Sequence, residues 1–409
     1  MRRLLFIFSF LSLLVVDGKA QEVETLTLED CLRIGIDNNL SLEGKRKEIQ
    51  KSKYGVSENR SKLLPQITVI AGYNNNFDPP VSVTDGSSYG VPYNITKTLQ
   101  HTANAGLEMQ MPLFNQTLYT SMSIAKVMEE ISRLSYGKAR EDIIMQISKM
   151  YYLGQVTAEQ IVLIKANITR LEELRDITQA FFDNGMSMEV DLKRVNINLE
   201  NLKVQYDNAQ AMMKQQLNML KYIMDYPAEK EFVLTPVNTD SITTVALTGL
   251  SENIYELQLS QSQVQLAEKQ KKIISNGYIP SLSLTGSWRY AAYTDKGYHW
   301  FHSGPSNHWF RSYGLGLTLR IPIFDGLDKT YKIKKAMIDI ENSKLAWENA
   351  RKSLQTQYLN AVNDLMNNQR NFKKQKDNYL LAEDVYTVTS DRYREGIASM
   401  TEVLQDEMQ

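Results

Sequence analysis

Two stretches of the chain alternate apolar and polar residues one by one: Gly106-Leu-Glu-Met-Gln-Met-Pro-Leu-Phe-Asn115 and Gly316-Leu-Thr-Leu-Arg-Ile-Pro-Ile-Phe-Asp325. Leu107, Met109 and Met111, like Leu317, Leu319 and Ile321, share one side of a strand of period two. Glu108 and Gln110, like Thr318 and Arg320, share the other. Each stretch then meets a proline, Pro112 or Pro322, which fixes its own φ and donates nothing to a ladder. The strand is expected to stop or bend there and pass into helix, so the two prolines mark strand-to-helix junctions.

The same period appears upstream of each copy. Ile67, Val69, Ala71 and Tyr73 line one face of a strand over 66–77, and Leu282, Leu284, Gly286, Trp288 and Tyr290 line one face of a strand over 281–293. With return strands over 102–113 and 310–323 these make two hairpins with long tip loops, 74–98 and 294–307. Elsewhere apolar residues recur at three and four, which predicts helices over 28–64, broken at Asp37-Asn38-Asn39, and over 117–184, 187–224, 252–278, 328–394 and 398–409. The 117–184 segment has no proline and would extend ~100 Å. Its Ile161, Ile164, Ile168, Leu171, Leu174 and Ile177 face a heptad seam of Leu192, Val195, Leu199, Leu202, Tyr206, Ala209, Met213 and Leu220, an antiparallel coiled hairpin turning at Gly185.

The order strand, strand, long helix, glycine turn, helix occurs twice, the copies lying about 210 residues apart. Leu64-Pro65 is mirrored by Ile279-Pro280, and Phe181-Phe-Asp-Asn-Gly185 by Arg392-Tyr-Arg-Glu-Gly396. The repeats span 21–227 and 252–409, joined by a connector over 228–251 rich in Thr, Ser and Asp. The final helix is about 26 residues shorter than its counterpart, so the second repeat is expected to be truncated.

Arg2, Arg3, the apolar run Leu4 to Val16 and Gly18-Lys19-Ala20 read as a signal peptide over 1–20. No later run reaches the length of a membrane-crossing helix, so membrane contact falls to the strands. Four strands cannot close on themselves, and an open edge is not tolerated in lipid, so several chains must share one barrel. Trp288, Tyr290, Tyr293, Trp300, Trp309, Phe310 and Tyr313 are expected to form its interfacial girdle. A net charge of −1 argues against nucleic acid as a partner. The single cysteine, Cys31, reads as a small buried residue. His299, His302 and His308 share a tip loop without a cysteine, and no metal, cofactor or catalytic residue is expected. The readings left open are a β-sandwich hairpin pair and a periplasmic coiled-coil scaffold or adaptor without a pore.

In its twin Pro-Leu-Phe-Asn and Pro-Ile-Phe-Asp-Gly junctions, its duplication and its Gly185 and Gly396 turns, the chain resembles the TolC-like outer-membrane factor family from Leu26 onward. The resemblance implies a mainly α fold with transmembrane β: duplicated coiled-coil hairpins forming a periplasmic α-barrel, and two β-hairpins per chain contributing to a shared outer-membrane β-barrel. It implies a homotrimer in outer-membrane lipid, a passive exit duct for efflux or type I secretion, fed through a periplasmic adaptor (membrane fusion) protein by an inner-membrane transporter. It also assigns residues. Gly185, Met186, Gly396 and Ile397 fall on the adaptor-docking turns, with Asn184 and Glu395 where the family has valine. Asp191, Tyr393 and Glu402 fall on the periplasmic gate, with Ala398 where a linking arginine is found. Residues alone offer a plainer role for two of these features: a glycine helix cap, and a capping box Ser399-Met-Thr-Glu402.

Overall fold

The computed structural model describes residues 24–237, 249, 251, 253–294 and 308–407. The signal segment, His299, His302, Trp300 and the side chain of His308 lie outside the described residues. The elements run β1 (Glu24–Leu26), α1 (Leu28–Asn38), α2 (Leu40–Ser61), β2 (Gln66–Asn75), β3 (Val81–Asp85), β4 (Tyr93–Lys97), β5 (His101–Phe114), α3 (Gln116–Asp183) and α4 (Glu189–Met224). They continue β6 (Phe232–Leu234), α5 (Tyr255–Asn276), β7 (Ser281–Thr294), β8 (His308–Arg320), α6 (Asp328–Arg394) and α7 (Met400–Glu407). Two compact units emerge. One comprises the described residues of Met1–Glu43, Arg140–Leu247 and Met366–Gln409, the other those of Gly44–Ala139 and Thr248–Leu365. No described helix is long and apolar enough to cross a membrane.

The second unit carries a four-stranded antiparallel sheet in the order β2-β5-β7-β8. Its register aligns the faces of all four strands. Ile67, Met109, Gly286 and Leu315 form one row and Val69, Leu107, Trp288 and Tyr313 the next, while the opposite face presents Thr68, Glu108, Ser287 and Gly314. Since side chains alternate strictly, a slip of one residue would exchange the faces. An ion pair between Glu108 and Arg289 links β5 to β7 on the polar face. The alternation also corrects the girdle. Trp288, Tyr290, Trp309 and Tyr313 share the apolar face, but Tyr293 and Phe310 fall on the polar one, their rings 6.3 Å apart.

Both junctions break the ladder, in different ways. Pro112 stays in β5 opposite Ser283, and the register shifts between Pro112 and Phe114, a bulge at the residue that cannot donate. β8 instead ends at Arg320, before Pro322, because its partner β7 begins only at Ser281 after Pro280, leaving 321–323 nothing to pair with. After the first junction Asn115 caps α3, its side-chain oxygen accepting from the Thr117 N–H at 3.0 Å and the Thr117 hydroxyl at 2.6 Å. The tip loop over 74–98 is not irregular throughout: β3 and β4 pair within it as a hairpin.

In the first unit, the N-terminal residues and the connector make a short parallel pair, β1 with β6, which a three-residue strand leaves invisible to periodicity. Leu26, Phe232 and Leu234 close over Cys31, Ile147, Tyr151, Leu220 and Met224. Cys31 is fully buried, its thiol pushed up to about 12 by burial. Asn39 separates α1 from α2 by two bonds at once: its oxygen accepts from the Leu42 N–H at 3.1 Å, and its amide donates to the Ile223 carbonyl at 2.7 Å. The heptad seam of α4 is buried or half-buried along its whole length, as its spacing predicts.

Candidate functional site

The ends of α3, α4, α6 and α7 meet in one cluster. Leu171 and Leu174 of α3, Val195 and Leu199 of α4, Tyr393 of α6, and Met400, Val403 and Leu404 of α7 are its buried members. Two turns close it. Gly185 has φ +73° and Gly396 φ +74°, the left-handed region that glycine enters without strain. Each ends its helix in the same double bond: Gly185 N–H donates to Phe182 O at 2.9 Å and Met186 N–H to Phe181 O at 2.8 Å, and Gly396 and Ile397 do likewise to Tyr393 and Arg392. This is the Schellman arrangement. Its usual apolar seal is missing, because Met186 is 69% and Ile397 63% exposed, alongside exposed Met188 and Val190.

Tyr393 points inward, only 6% exposed, its ring 5.6 Å from that of Phe181. Its hydroxyl lies 3.2 Å from Thr178 Oγ1, and Thr178 Oγ1 lies 2.7 Å from the Leu174 carbonyl. The threonine has a single proton to give and the carbonyl has none, so Tyr393 donates to Thr178 and Thr178 to Leu174. Burial pushes the Tyr393 hydroxyl above its ordinary range, and the nearby Asp191 carboxylate pushes the same way. Asp191 itself is largely covered, 3.5 Å from the Arg194 guanidinium. Glu402 is placed differently. Its carboxylate accepts from the Ser399 N–H at 3.2 Å while its own N–H donates to Ser399 Oγ at 3.3 Å, a complete capping box on α7.

The structure thus brings Asp191 and Tyr393 together and leaves Glu402 as a cap on exposed surface. Sequence reasoning missed Thr178 and Arg194. Thr178 had a signal: it continues the spacing of Leu171 and Leu174 into the seam, a polar residue where the pattern calls for an apolar one. Also missed was a second buried group, Glu407, whose side chain is 7% exposed and 3.5 Å from Arg170. The Arg170 guanidinium lies 5.7 Å over the Tyr386 ring. Burial raises Glu407 above the usual carboxylate range, against the lowering pull of Arg170.

Among the described residues the four-stranded sheet has one apolar face, one polar face and two edges without a ladder partner, in a chain otherwise built of long helices, which is the fold of outer-membrane channels. The chain belongs to the outer membrane efflux protein family, whose pattern matches residues 34–224 and 238–409. It is 21% identical over 316 residues to outer membrane protein TolC of Vibrio cholerae, a match covering 76% of this chain and 66% of that one, a little under two thirds of the relative's length. The fold is that of the channel CusC (TM-score 0.77, 16% identity, 93% of this chain and 85% of that one). It is equally that of the Neisseria gonorrhoeae outer-membrane channel MtrE in its open state (TM-score 0.73, 18% identity, 93% and 82%). The family is one of transport channels and not of enzymes, and it places the chain in the outer membrane with a helical part in the periplasm.

Proposed function

We propose that this protein is a passive outer-membrane exit duct that works as a homotrimer with a periplasmic adaptor and an inner-membrane transporter, for efflux or type I secretion. The observation that carries the reading is the alignment of apolar and polar faces across β2, β5, β7 and β8, which suits a wall between lipid and water. The gate is the cluster under the glycine turns. The Tyr393–Thr178 bond and the Asp191–Arg194 pair near it supply the polar contacts that adaptor engagement would break, and exposed Met186 and Ile397 offer an apolar foothold on each turn. Glu402 contributes to the gate through the stability of α7 and, in a trimer, through its charge.

Single-channel conductance in planar bilayers tests this. Asp191→Ala is expected to raise conductance, and Glu402→Ala to raise it less, since the capping role of Glu402 is separable from gating. Unchanged conductance in both variants would remove the gate assignment, and a trimer that conducts no ions at all would remove the duct.

A further inference from the structure

The hairpin β3/β4 has two unlike sides. The register Val81↔Lys97, Val83↔Ile95 and Asp85↔Tyr93 puts Val81, Val83, Tyr93 and Ile95 on one side, with Asp85 at its tip end and Lys97 at its base, and Ser82, Thr84, Asn94 and Thr96 on the other. The four apolar residues are 54% to 68% exposed. A lone two-stranded hairpin is marginal in water, yet this one is closed carefully at both ends. At its tip Asp85 accepts from the Ser87 N–H at 2.9 Å and the Ser87 hydroxyl at 3.0 Å, and a Cβ on Gly86 would strike the Val91 carbonyl oxygen at 2.6 Å. At its base Thr98 N–H donates to Pro80 O at 3.1 Å and Asn76 N–H to Gln100 O at 2.8 Å.

We propose that this apolar side is covered by neighbouring copies of the same chain, three hairpins packing on one another as a collar at the outer end of the shared barrel. The inference rests on the shared-barrel reading above and adds a second interface to it. Three observations favour a copy over other occupants. The hairpin continues from β2, an open edge of the sheet, so whichever copy pairs with that edge stands beside it. Its chemistry does not suit lipid headgroups, whose phosphates call for clustered Lys or Arg: the charged residues of 76–100 are Asp78, Asp85 and Lys97, with Lys97 3.4 Å from Asp78 and Asp85 engaged in the turn. And four side chains are too small a patch to hold a free partner, whereas copies already joined at the barrel meet at high effective concentration.

Cysteine cross-linking in outer-membrane preparations of the full chain tests the collar. Cys31 is buried and can stay in place. Val83→Cys, and Ile95→Cys as a second variant, are expected to give covalent dimers and trimers with a short bis-maleimide, several-fold more than Thr84→Cys on the polar side. Absence of cross-links at 83 and 95 in a particle of trimeric mass overturns the collar and leaves the barrel standing. Shielding of position 83 from maleimide that disappears on lipid extraction, without cross-links, overturns it in favour of lipid. A monomeric particle overturns both readings.

Discussion

The two glycine turns have the same backbone and different surroundings. Both are Schellman caps with φ near +74° and exposed apolar residues beyond them. Past the second, Ser399 caps α7 and draws Glu402 into a capping box; past the first, the equivalent N-cap of α4 is Met188, which has no side-chain oxygen to offer. Asp191, three residues on, is therefore free of capping and stands beside Tyr393 instead. The hydroxyl chain is equally one-sided. Thr178 of the first repeat meets Tyr393 of the second, but the mirror positions are Thr389 and Phe182, and a phenylalanine ring has no hydroxyl to donate. Duplicated backbone geometry has been kept where glycine enforces it, while side-chain chemistry has diverged wherever a single substitution suffices.

That comparison can be broken in graded steps, each read as a change in denaturant unfolding of the detergent-solubilised protein. Gly185→Ala and Gly396→Ala should each lose about 1–2 kcal/mol. The two losses should match, since neither Cβ would touch anything and the penalty is backbone alone. Asparagine at either position should restore part of it. Thr178→Val should cost about 1 kcal/mol, because it removes one of the two side-chain hydrogen bonds of the buried Tyr393 hydroxyl and leaves the one to Ser187. Thr389→Val should change stability by under about 0.5 kcal/mol; equal losses would show that the Tyr393 bond is not what distinguishes the sides.

Met188→Ser would convert the first turn into a copy of the second, giving α4 a capping serine with Asp191 at the box position. It should stabilise by about 1 kcal/mol while drawing Asp191 away from Tyr393, so conductance should rise although stability does too. A rise in stability without any change in conductance would separate Asp191 from the gate. The smallest effect is expected from Glu407→Gln. Burial raises the folded-state pKa of Glu407 above its ordinary 4.5, so both states are protonated below that value and its ionisation destabilises the fold as pH climbs through the raised pKa. The variant should therefore melt higher than the parent at pH 7, with the gap closing under acid.

Long elements were legible because repetition makes them so. The seam from Leu192 to Leu220 and the paired faces from Ile67 to Tyr313 each rest on many residues obeying one period, and one exception does not hide them. The β1/β6 pair was not legible, since three residues give no period and their partners lie far apart in sequence. Nor was the β3/β4 hairpin, set in a loop whose Gly and Pro content speaks louder than Val81 and Val83. At the site, the glycines and Asp191 stood out by their place in the duplication. Thr178 showed only as a polar break in the seam and Glu407 not at all, because what sets them apart is burial, and burial is decided by elements distant in the chain.

The central ladder of the sheet, β5 against β7, joins a strand of the first repeat to a strand of the second. Each repeat on its own contributes a single hairpin with two open edges to this sheet, so a ring built from unfused repeats would need twice as many chains to reach the same circumference. Tandem fusion turned half of those encounters between separate molecules into intramolecular ones, and lowered the order of the assembly reaction in protein concentration accordingly. The pair Glu108 and Arg289 sits on that fused seam, a lock between two halves that would otherwise have had to find each other by diffusion.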